Sequence, residues 1–593
     1  MIDHSWSRET PEPSSPQPDD STELAPRNGG DLVVETLTAL GARSVVGIPG
    51  QHALGLFDAL SRSSLAFYSF RVENNAAFAA DGYSRASGQV GVLFLSTGPG
   101  ALTSLAGLQE AYATCVPLVV IASQIPREGL GARHKGMIHQ LDEQKESARN
   151  VTKSQFTVQQ AASIPAVIHD AWEEALTAPQ GPVWVEIPQD TLLEPTVVPP
   201  VADVHAQARP VPARRELVAE AARLLGGSSR PAVLAGGGVR RSGPDAEAAL
   251  ADLAELLGAP VVCTPGGNSA FPSSHRLSLG SWVEDRYVTE VLEEADVLLV
   301  VGSSLGEVTS NYYTLAPRGS VIQIDADYQV LESNHSALGI RSDAGPALAD
   351  IHAALADDGV RKSAQPRADW GGASSEQLVA AVREKVERRL SAQDLSAERQ
   401  LLADIRAAVP QGCHTFWDMT IAAYWAWNCW STDGGAFHSA QGAGGLGFGF
   451  PGALGGAIAA QEQADLSAGP HDRRPQRTVA VAGDGSAMYS IGELATARQY
   501  ELPVTWLIID DGGYGILRQY MDDTFGRATA TELAGPDFMR LAQAFGVPAA
   551  DVSPDQLKDG LARACEADGP NVVIVRTQLG MWEPSHLSEP LSR

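Results

Sequence analysis

Cations are scarce in this chain of 593 residues: 43 Lys and Arg stand against 71 Asp and Glu, a formal net charge of −28 at pH 7. With no Lys/Arg cluster, that balance excludes nucleic acid and an anionic membrane as partners and leaves a solvated acidic surface. Aromatic residues make up only 6%, so a dense group of them is informative wherever it occurs. Cysteine is limited to five residues, at 115, 263, 413, 429 and 565, without metal-like spacing. An odd number with no secretion signal points to free thiols in a reducing compartment, the cytoplasm. No apolar run reaches transmembrane length, and no short-period repeat of the solenoid kind is present. Residues 1–29 are rich in Pro, Ser, Asp and Glu. They are expected to form a disordered tail lacking the hydrophobic region of a signal peptide.

What the chain does have is β/α alternation interrupted by proline-rich seams. The length suits three domains. The expected fold class is α/β, with three doubly wound domains, each a mostly parallel sheet flanked by helices. The first domain is placed at 30–195, opening with a helix from Leu32 to Leu40. A linker joins it at 196–212, stiffened by Pro199, Pro200, Pro210 and Pro212. The central domain is placed at 213–360, a charged connecting helix at 361–395, the third domain at 396–583 and a tail at 584–593. Ser467 to Pro475 is expected to be a surface insertion loop.

The most telling segments are Gly483-Asp484-Gly485-Ser486 and Asp510-Asp511-Gly512-Gly513-Tyr514-Gly515. Each comes after a strand-like apolar run, Thr478 to Ala482 and Val504 to Ile509, so each acid falls where a buried parallel strand ends. Between them, Ile491 to Gln499 has helical spacing and supplies the crossover that lets the two strands lie near each other. Ligands gather at that edge of an open sheet. Asp484 and Asp511 offer hard oxygens to one magnesium ion. The glycines let the backbone approach phosphate, and Ser486 offers a hydroxyl at a helix start.

This spacing, 27 residues from Asp484 to Asp511, resembles the cofactor motif of thiamine-diphosphate enzymes, in which Gly-Asp-Gly is followed by an Asn pair. Here the pair is Asp510-Asp511. The resemblance implies that the first domain binds the cofactor's pyrimidine and the third its diphosphate. It implies that Asp484, Asp511 and the Gly513 carbonyl bind Mg2+, and that Gly444, Gly483, Gly485, Ser486 and Tyr514 border the cofactor.

A second segment, Arg71-Val72-Glu73-Asn74-Asn75 through Gly82-Tyr83-Ser84-Arg85, resembles the family's pyrimidine-binding segment and sets Glu73 on its catalytic glutamate. A carboxyl group there hydrogen-bonds the aminopyrimidine ring and favours its imino form, which takes the thiazolium proton. In the third, Gly444-Gly445-Leu446-Gly447-Phe448-Gly449-Phe450-Pro451, Leu446 falls where the family has an apolar wedge under the cofactor, and a helix is expected from about Pro451 to Ala460. In this family the cofactor lies between the first domain of one subunit and the third of another. A homodimer is therefore the minimum expected, and a homotetramer is also expected.

The first domain resembles acetolactate synthase through Gly47-Ile48-Pro49-Gly50 and Ser96-Thr97-Gly98-Pro99-Gly100. The third resembles benzoylformate decarboxylase through Gly483 to Ser490. Both imply loss of CO2 from a 2-oxo acid to an enamine. Release as an aldehyde makes a decarboxylase, the expectation placed first; transfer to an aldehyde or ketone acceptor makes a carboligase, and a non-catalytic member is a third reading. Gln51, His52, His139 and Gln140 are candidates to polarise a carbonyl or move a proton. Benzoylformate decarboxylase's catalytic His and Ser fall near Leu95 and Gln51 here. Gly236-Gly237-Gly238 and Gly302-Ser303-Ser304 come after strands in the central domain, a weak signal for a nucleotide, so flavin is not expected. Trp417, Tyr424, Trp425, Trp427 and Trp430 either line a pocket or pack a domain interface, with packing favoured. Trp582 to Arg593 is expected to close over the site or to fray.

Overall fold

The computed structural model describes residues 27–356, 370–432, 434–467 and 474–585. The expected N-terminal tail up to residue 26, the start of the connecting segment, most of the 467–475 loop and residues 586–593 lie outside the described residues.

Three parallel sheets build the molecule. The first contains β1 (Ser44–Gly47), β2 (Ala66–Ser69), β3 (Gly91–Leu95), β4 (Leu118–Gln124), β5 (Ser154–Thr157) and β6 (Pro182–Pro188), in the order β2-β1-β3-β4-β6-β5. The central sheet contains β7 (Pro231–Ala235), β8 (Val261–Cys263), β9 (Val297–Val301), β10 (Ser320–Asp325) and β11 (Leu338–Arg341), in the order β11-β10-β9-β7-β8. The third contains β12 (His414–Trp417), β13 (Ala436–Ser439), β14 (Thr478–Gly483), β15 (Val504–Asp510), β16 (Ala549–Val552) and β17 (Asn571–Arg576), in the order β13-β12-β14-β15-β17-β16. Helices cover the faces, as a parallel crossover requires.

The strands are apolar on both faces because both faces are covered. In the third sheet Val479, Val481, Leu507 and Ile509 enter one core shared with the central domain. Their neighbours Ala480, Ala482, Trp506 and Ile508 enter another, shared with Leu93, Leu95, Val120 and Trp184 of the first sheet. The two-residue period of a strand thus joins the third sheet to both other domains.

Seven helices frame the candidate sites: α1 (Gly29–Ala39), α2 (Glu73–Ser87), α3 (Ser375–Ser391), α4 (Ile421–Cys429), α5 (Gly449–Ser467), α6 (Asp484–Ser490) and α7 (Gly515–Phe525). Several begin earlier than apolar spacing predicts. Asn28 caps α1 by accepting from the Asp31 N–H, while its own N–H donates to the Asp31 carboxylate, so the helix starts at Gly29 instead of Leu32. Pro451 sits inside the first turn of α5, where a missing N–H costs nothing, so this helix starts at Gly449. The crossover after β14 starts at Asp484 itself and tightens through Ile491–Glu493 before resuming at Leu494–Gln499. α2 and α5 cross closely through glycines: a Cβ on Gly455 would lie 1.9 Å from the Ala79 carbonyl oxygen, and one on Gly82 2.1 Å from that of Gly452.

The aromatic group belongs to packing. Trp417, Trp425, Trp427 and Trp430 are all buried in the core joining the third and central domains, and Trp417 meets Trp430 edge to face at 4.9 Å. Trp582 does not fray: it is buried between Trp282 and Trp425, with ring centroids at 5.4 and 4.8 Å. All five cysteines are free.

Candidate cofactor and metal site

β14 and β15 are adjacent and in register from Thr478↔Val504 to Gly483↔Ile509, which carries Asp484 and Asp511 off neighbouring strand ends to face each other. Asp484 is buried, and its Oδ1 has no hydrogen-bond partner. Burial raises its pKa, opposed by hydrogen bonding to Asp511. The Asp511 carboxyl is pushed up to about 7, by burial first and by the charge of Asp484 second. Two facing carboxylates with one oxygen orphaned are what a divalent cation would relieve. Among the described residues no group of three or more His, Cys, Asp or Glu side chains is assembled to hold a metal. A magnesium ion held by these two carboxylates would take its remaining ligands from backbone oxygens, water and a bound ligand.

The turn itself is built for these acids. Gly512 has φ +78°, and a Cβ on Gly515 would overlap the Asp511 carboxylate, within 2.0 Å of Oδ2. Gly513 bridges to Glu532, and the Tyr514 N–H donates to the Thr531 carbonyl at 2.9 Å. Asp510, the other half of the pair, turns away to Arg576 at 3.3 Å. Only Asp511 thus faces Asp484. Ser486 caps its own helix, with Oγ 3.1 Å from the Gly483 N–H and 3.1 Å from the Gly483 carbonyl. Asp484, Gly485, Met488, Tyr489, Tyr514 and Leu533 line a cavity of about 400 Å³ beside the acids.

Asp418, directly after β12, is a residue that motif reasoning missed. Fully buried, it accepts from the N–H groups of Gly447 (3.0 Å) and Gly449 (3.1 Å), so it fixes the loop carrying Gly444 and Leu446. Burial pushes its carboxyl up to about 6. Gly444 takes φ +72° and Gly447 φ +89°, and Leu446 between them is half-buried. The missed signal is positional: Asp418, Asp484 and Asp511 all lie at or just past the carboxyl ends of neighbouring strands.

In the first sheet, Glu73 opens α2, where the helix dipole also favours an acid. Gly100 lies against it; a Cβ there would be 3.1 Å from Glu73 Oε1. Both flanks of Glu73 are held by buried Glu493 of the third domain, which accepts from the Arg71 N–H and from Asn75 Nδ2, each at 3.1 Å. His52 and His139 come together, ring centroids 5.4 Å apart. His52 is buried with Nδ1 unpartnered, and its pKa is lowered by burial and then by His139. His139 is exposed, in the left-handed region at φ +61°, with its carbonyl against Gly98. Gln140 is spent on its own loop: its Nε2 donates to the His134 carbonyl at 2.6 Å and its Oε1 accepts from the Met137 N–H at 3.2 Å. Gln51 is exposed beside His52. Glu73 and the two histidines therefore border the first sheet, and Asp484 and Asp511 the third.

The central glycines have a packing reason. A Cβ on Gly236 would lie 2.2 Å from the Gly302 carbonyl oxygen, and one on Gly238 2.6 Å from Gly302 Cα. They close two turns on each other.

Three family models match the chain in order: the thiamine pyrophosphate enzyme N-terminal TPP binding domain at 27–147, the central domain at 218–351 and the C-terminal TPP binding domain at 412–575. Among similar proteins, the "Probable acetolactate synthase 2, chloroplastic" of Oryza sativa subsp. japonica is 30% identical over 93% of this chain and 83% of its own. The "Probable acetolactate synthase large subunit" of Methanocaldococcus jannaschii is 29% identical over 92% and 91%. "Acetolactate synthase isozyme 3 large subunit" of Escherichia coli K12 is 29% identical over 91% and 92%. A solved structure described as a thiamin diphosphate-dependent enzyme from Mycobacterium smegmatis shares the fold, with TM-score 0.76 and 24% identity over 93% of this chain and 99% of that one. The chain belongs to the thiamine pyrophosphate enzyme family.

Proposed function

We propose that this enzyme is a thiamine-diphosphate- and Mg2+-dependent carboligase that removes CO2 from a 2-oxo acid and joins the remaining fragment to the carbonyl of a second molecule. Sequence motifs alone put the aldehyde-releasing decarboxylase first. Similarity over more than nine-tenths of the chain to proteins named acetolactate synthase favours the carboligase instead.

The observation that carries the cofactor assignment is the facing pair Asp484 and Asp511, with Oδ1 of Asp484 orphaned and the Asp511 pKa raised. In this proposal the two carboxylates and the Gly513 carbonyl hold Mg2+. Gly483, Gly485 and Ser486 would let the start of α6 approach the diphosphate, and Tyr514, Gly444 and Leu446 would border the cofactor. Bound thiamine diphosphate would supply the electron sink for decarboxylation. Glu73 would hold or release a proton at the aminopyrimidine. His52, whose pKa is lowered by burial and then by His139, would accept a proton from a substrate hydroxyl. His139, exposed beside it, would orient the second carbonyl. Gln51 would contribute from the rim, whereas Gln140 acts through the loop it closes. Flavin stays outside this proposal, and so does a non-catalytic role, since similarity to proteins named acetolactate synthase covers more than nine-tenths of the chain.

A homodimer or homotetramer belongs to the same reading. Leu54, Leu102 and Ile138 are exposed on the first domain, and Met488, Tyr489 and Phe525 on the third. Covering both sets with a second copy would unite the Glu73 and Asp484 halves. A cytoplasmic location rests on the unpatterned cysteines; no described helix is long and apolar enough to cross a membrane.

The test is incubation with thiamine diphosphate, Mg2+ and a panel of 2-oxo acids, with and without aldehyde and ketone acceptors, and product detection by mass spectrometry. A hydroxyketone appearing together with CO2 is the expected result. Free aldehyde as the sole product, with acceptor present, would return the decarboxylase to first place.

A further inference from the structure

The local sequence does little to fix the start of α2. Val72 stands at its N-cap position with extended backbone, φ −140° and ψ 132°, and makes no side-chain hydrogen bond to the first turn. Ser, Thr, Asp or Asn there would accept from a first-turn N–H and hold the helix end, which Val cannot do. Yet the first residue of this helix is Glu73. Whatever fixes this end comes from elsewhere in the fold.

It comes from the third domain, where a row of hydrogen bonds docks residues 69–75 on the turn Ile491–Glu493 and the helix Leu494–Gln499. The Ser69 N–H donates to Tyr500 Oη at 2.8 Å, and the Ser69 carbonyl accepts from Thr496 Oγ1 at 3.3 Å. Arg71 Nη2 donates to Gln499 Oε1 at 2.6 Å. The two bonds that bracket Glu73 converge on a single atom. Glu493 Oε1 accepts both the Arg71 N–H, two residues before Glu73, and Asn75 Nδ2, two residues after it. Glu493 Oε2 accepts from Thr496 Oγ1 at 2.6 Å.

Packing of the domain seam does not account for this carboxylate. Glu493 is fully buried, and the three groups that donate to it are all neutral. A buried carboxylate without a cation is costly unless its hydrogen bonds satisfy it, and an apolar residue would join two domains without that cost. Its own place is well set, since it ends the crossover that starts at Asp484 directly after β14. With the backbone gripped on both flanks, the Glu73 carboxyl keeps only the rotation of its own side chain, against Gly100.

We infer that Glu493 is a positioning residue: it holds Glu73 where its carboxyl meets the aminopyrimidine, and it does so through its hydrogen bonds and not through its charge. The inference rests on the proton role given to Glu73 above.

The experiment uses the full chain. In the cofactor-free protein, amide hydrogen exchange over residues 71–76, read by mass spectrometry, should quicken about tenfold or more in Glu493→Ala, the scale of one lost charge-assisted hydrogen bond. Glu493→Gln should stay near the parent. Its carbonyl oxygen can replace Oε1 for Arg71 and Asn75, while Thr496 turns its hydroxyl to the Ser69 carbonyl. With thiamine diphosphate and Mg2+ bound, exchange of the thiazolium proton with D2O is followed by quenched-flow NMR. It should slow about tenfold or more in Glu493→Ala, about fivefold in Asn75→Ala, and less than about twofold in Glu493→Gln. Glu73→Gln is the reference and should slow it most.

A lower melting temperature in Glu493→Ala with parental thiazolium exchange would make Glu493 a tie between domains and overturn the inference. Glu493→Gln as slow as Glu493→Ala would point to charge and overturn it too. Should Glu493→Ala not fold, parental exchange in Asn75→Ala overturns it. Parental exchange in Glu73→Gln would overturn the role given to Glu73 and this inference with it. That failure is told apart from the others because amide exchange in the cofactor-free chain reads the anchor by itself.

Discussion

The first and third sheets have the same strand order, second-first-third-fourth-sixth-fifth along the chain, yet share no evident sequence repeat. The residues just beyond equivalent strands differ. After its third strand the first sheet makes the Gly98-Pro99-Gly100 turn against Glu73 and His139, whereas the third sheet places Asp484 there. After its first strand the first sheet reaches His52, and the third reaches Asp418. In the proposed function one scaffold presents titratable side chains for proton transfer, and the other presents carboxylates for a cation and, through Asp418, for its own loop. Topology fixes where a site forms; the residues just past the strand ends decide its chemistry.

The strongest way to break this comparison is to cross the roles. Glu73→Gln should lower turnover by about a hundredfold or more while cation and cofactor affinity stay near normal. Asp484→Ala should lower turnover as far, because saturable Mg2+-dependent cofactor binding is lost in a calorimetric titration. Equal cation affinity in both variants would erase the division of labour.

A smaller effect is expected at Asp511. Asp511→Asn should weaken Mg2+ about three- to tenfold, the scale of one charge removed from a partly solvated site. It should also flatten a pH dependence. With the Asp511 pKa at about 7, Mg2+ affinity in the unaltered protein should rise with pH up to about 7 and then level off. The sign for stability is the reverse. A pKa raised on folding means that the cation-free protein is favoured below the unfolded carboxyl value and loses stability as pH rises through about 7. Added Mg2+ should cancel that loss. Thermal melts from pH 4 to 8, with and without Mg2+, check both statements.

Smaller again is Asp418→Asn, which removes an acceptor from the Gly447 and Gly449 N–H groups and should cost about 1–3 kcal/mol in denaturant unfolding. Cofactor affinity should fall with it, since the Leu446 loop loses its anchor. The least drastic change is His139→Ala. Exposed and outside the core, it should leave stability within about 0.5 kcal/mol of the parent and shift the ratio of ligated product to aldehyde. An unaltered ratio would make His139 a turn residue only.

Much of the fold and of the candidate site is legible in the sequence because it rests on local pattern. Apolar runs ending in Gly-Asp-Gly and in Asp-Asp-Gly-Gly are strands ending in turns, and the register of β14 with β15 brings their acids together. Helix starts are less legible, since Asn28 and Pro451 extend helices through capping and not through apolar spacing. Gln140 has the right residue type but bonds its own loop. Asp418 and Glu493 are hidden because their partners, Gly447 and Arg71, are remote in sequence and only the fold brings them close. The aromatic group is ambiguous for the same reason: only the packed seam shows that Trp417 and Trp425 are core and that Trp430 borders a cavity.

In the proposed dimer a second copy brings the Glu73 and Asp484 halves together, and that is tested most directly by mixing. Glu73→Gln and Asp484→Ala proteins are each expected to be inactive. After subunit exchange, mixed dimers contain one intact site, so activity should return to about a quarter of the parent value by statistical assortment of a twofold-symmetric dimer. No recovery, with exchange demonstrated by native mass spectrometry, would place Glu73 and Asp484 of one site on the same chain and contradict the account.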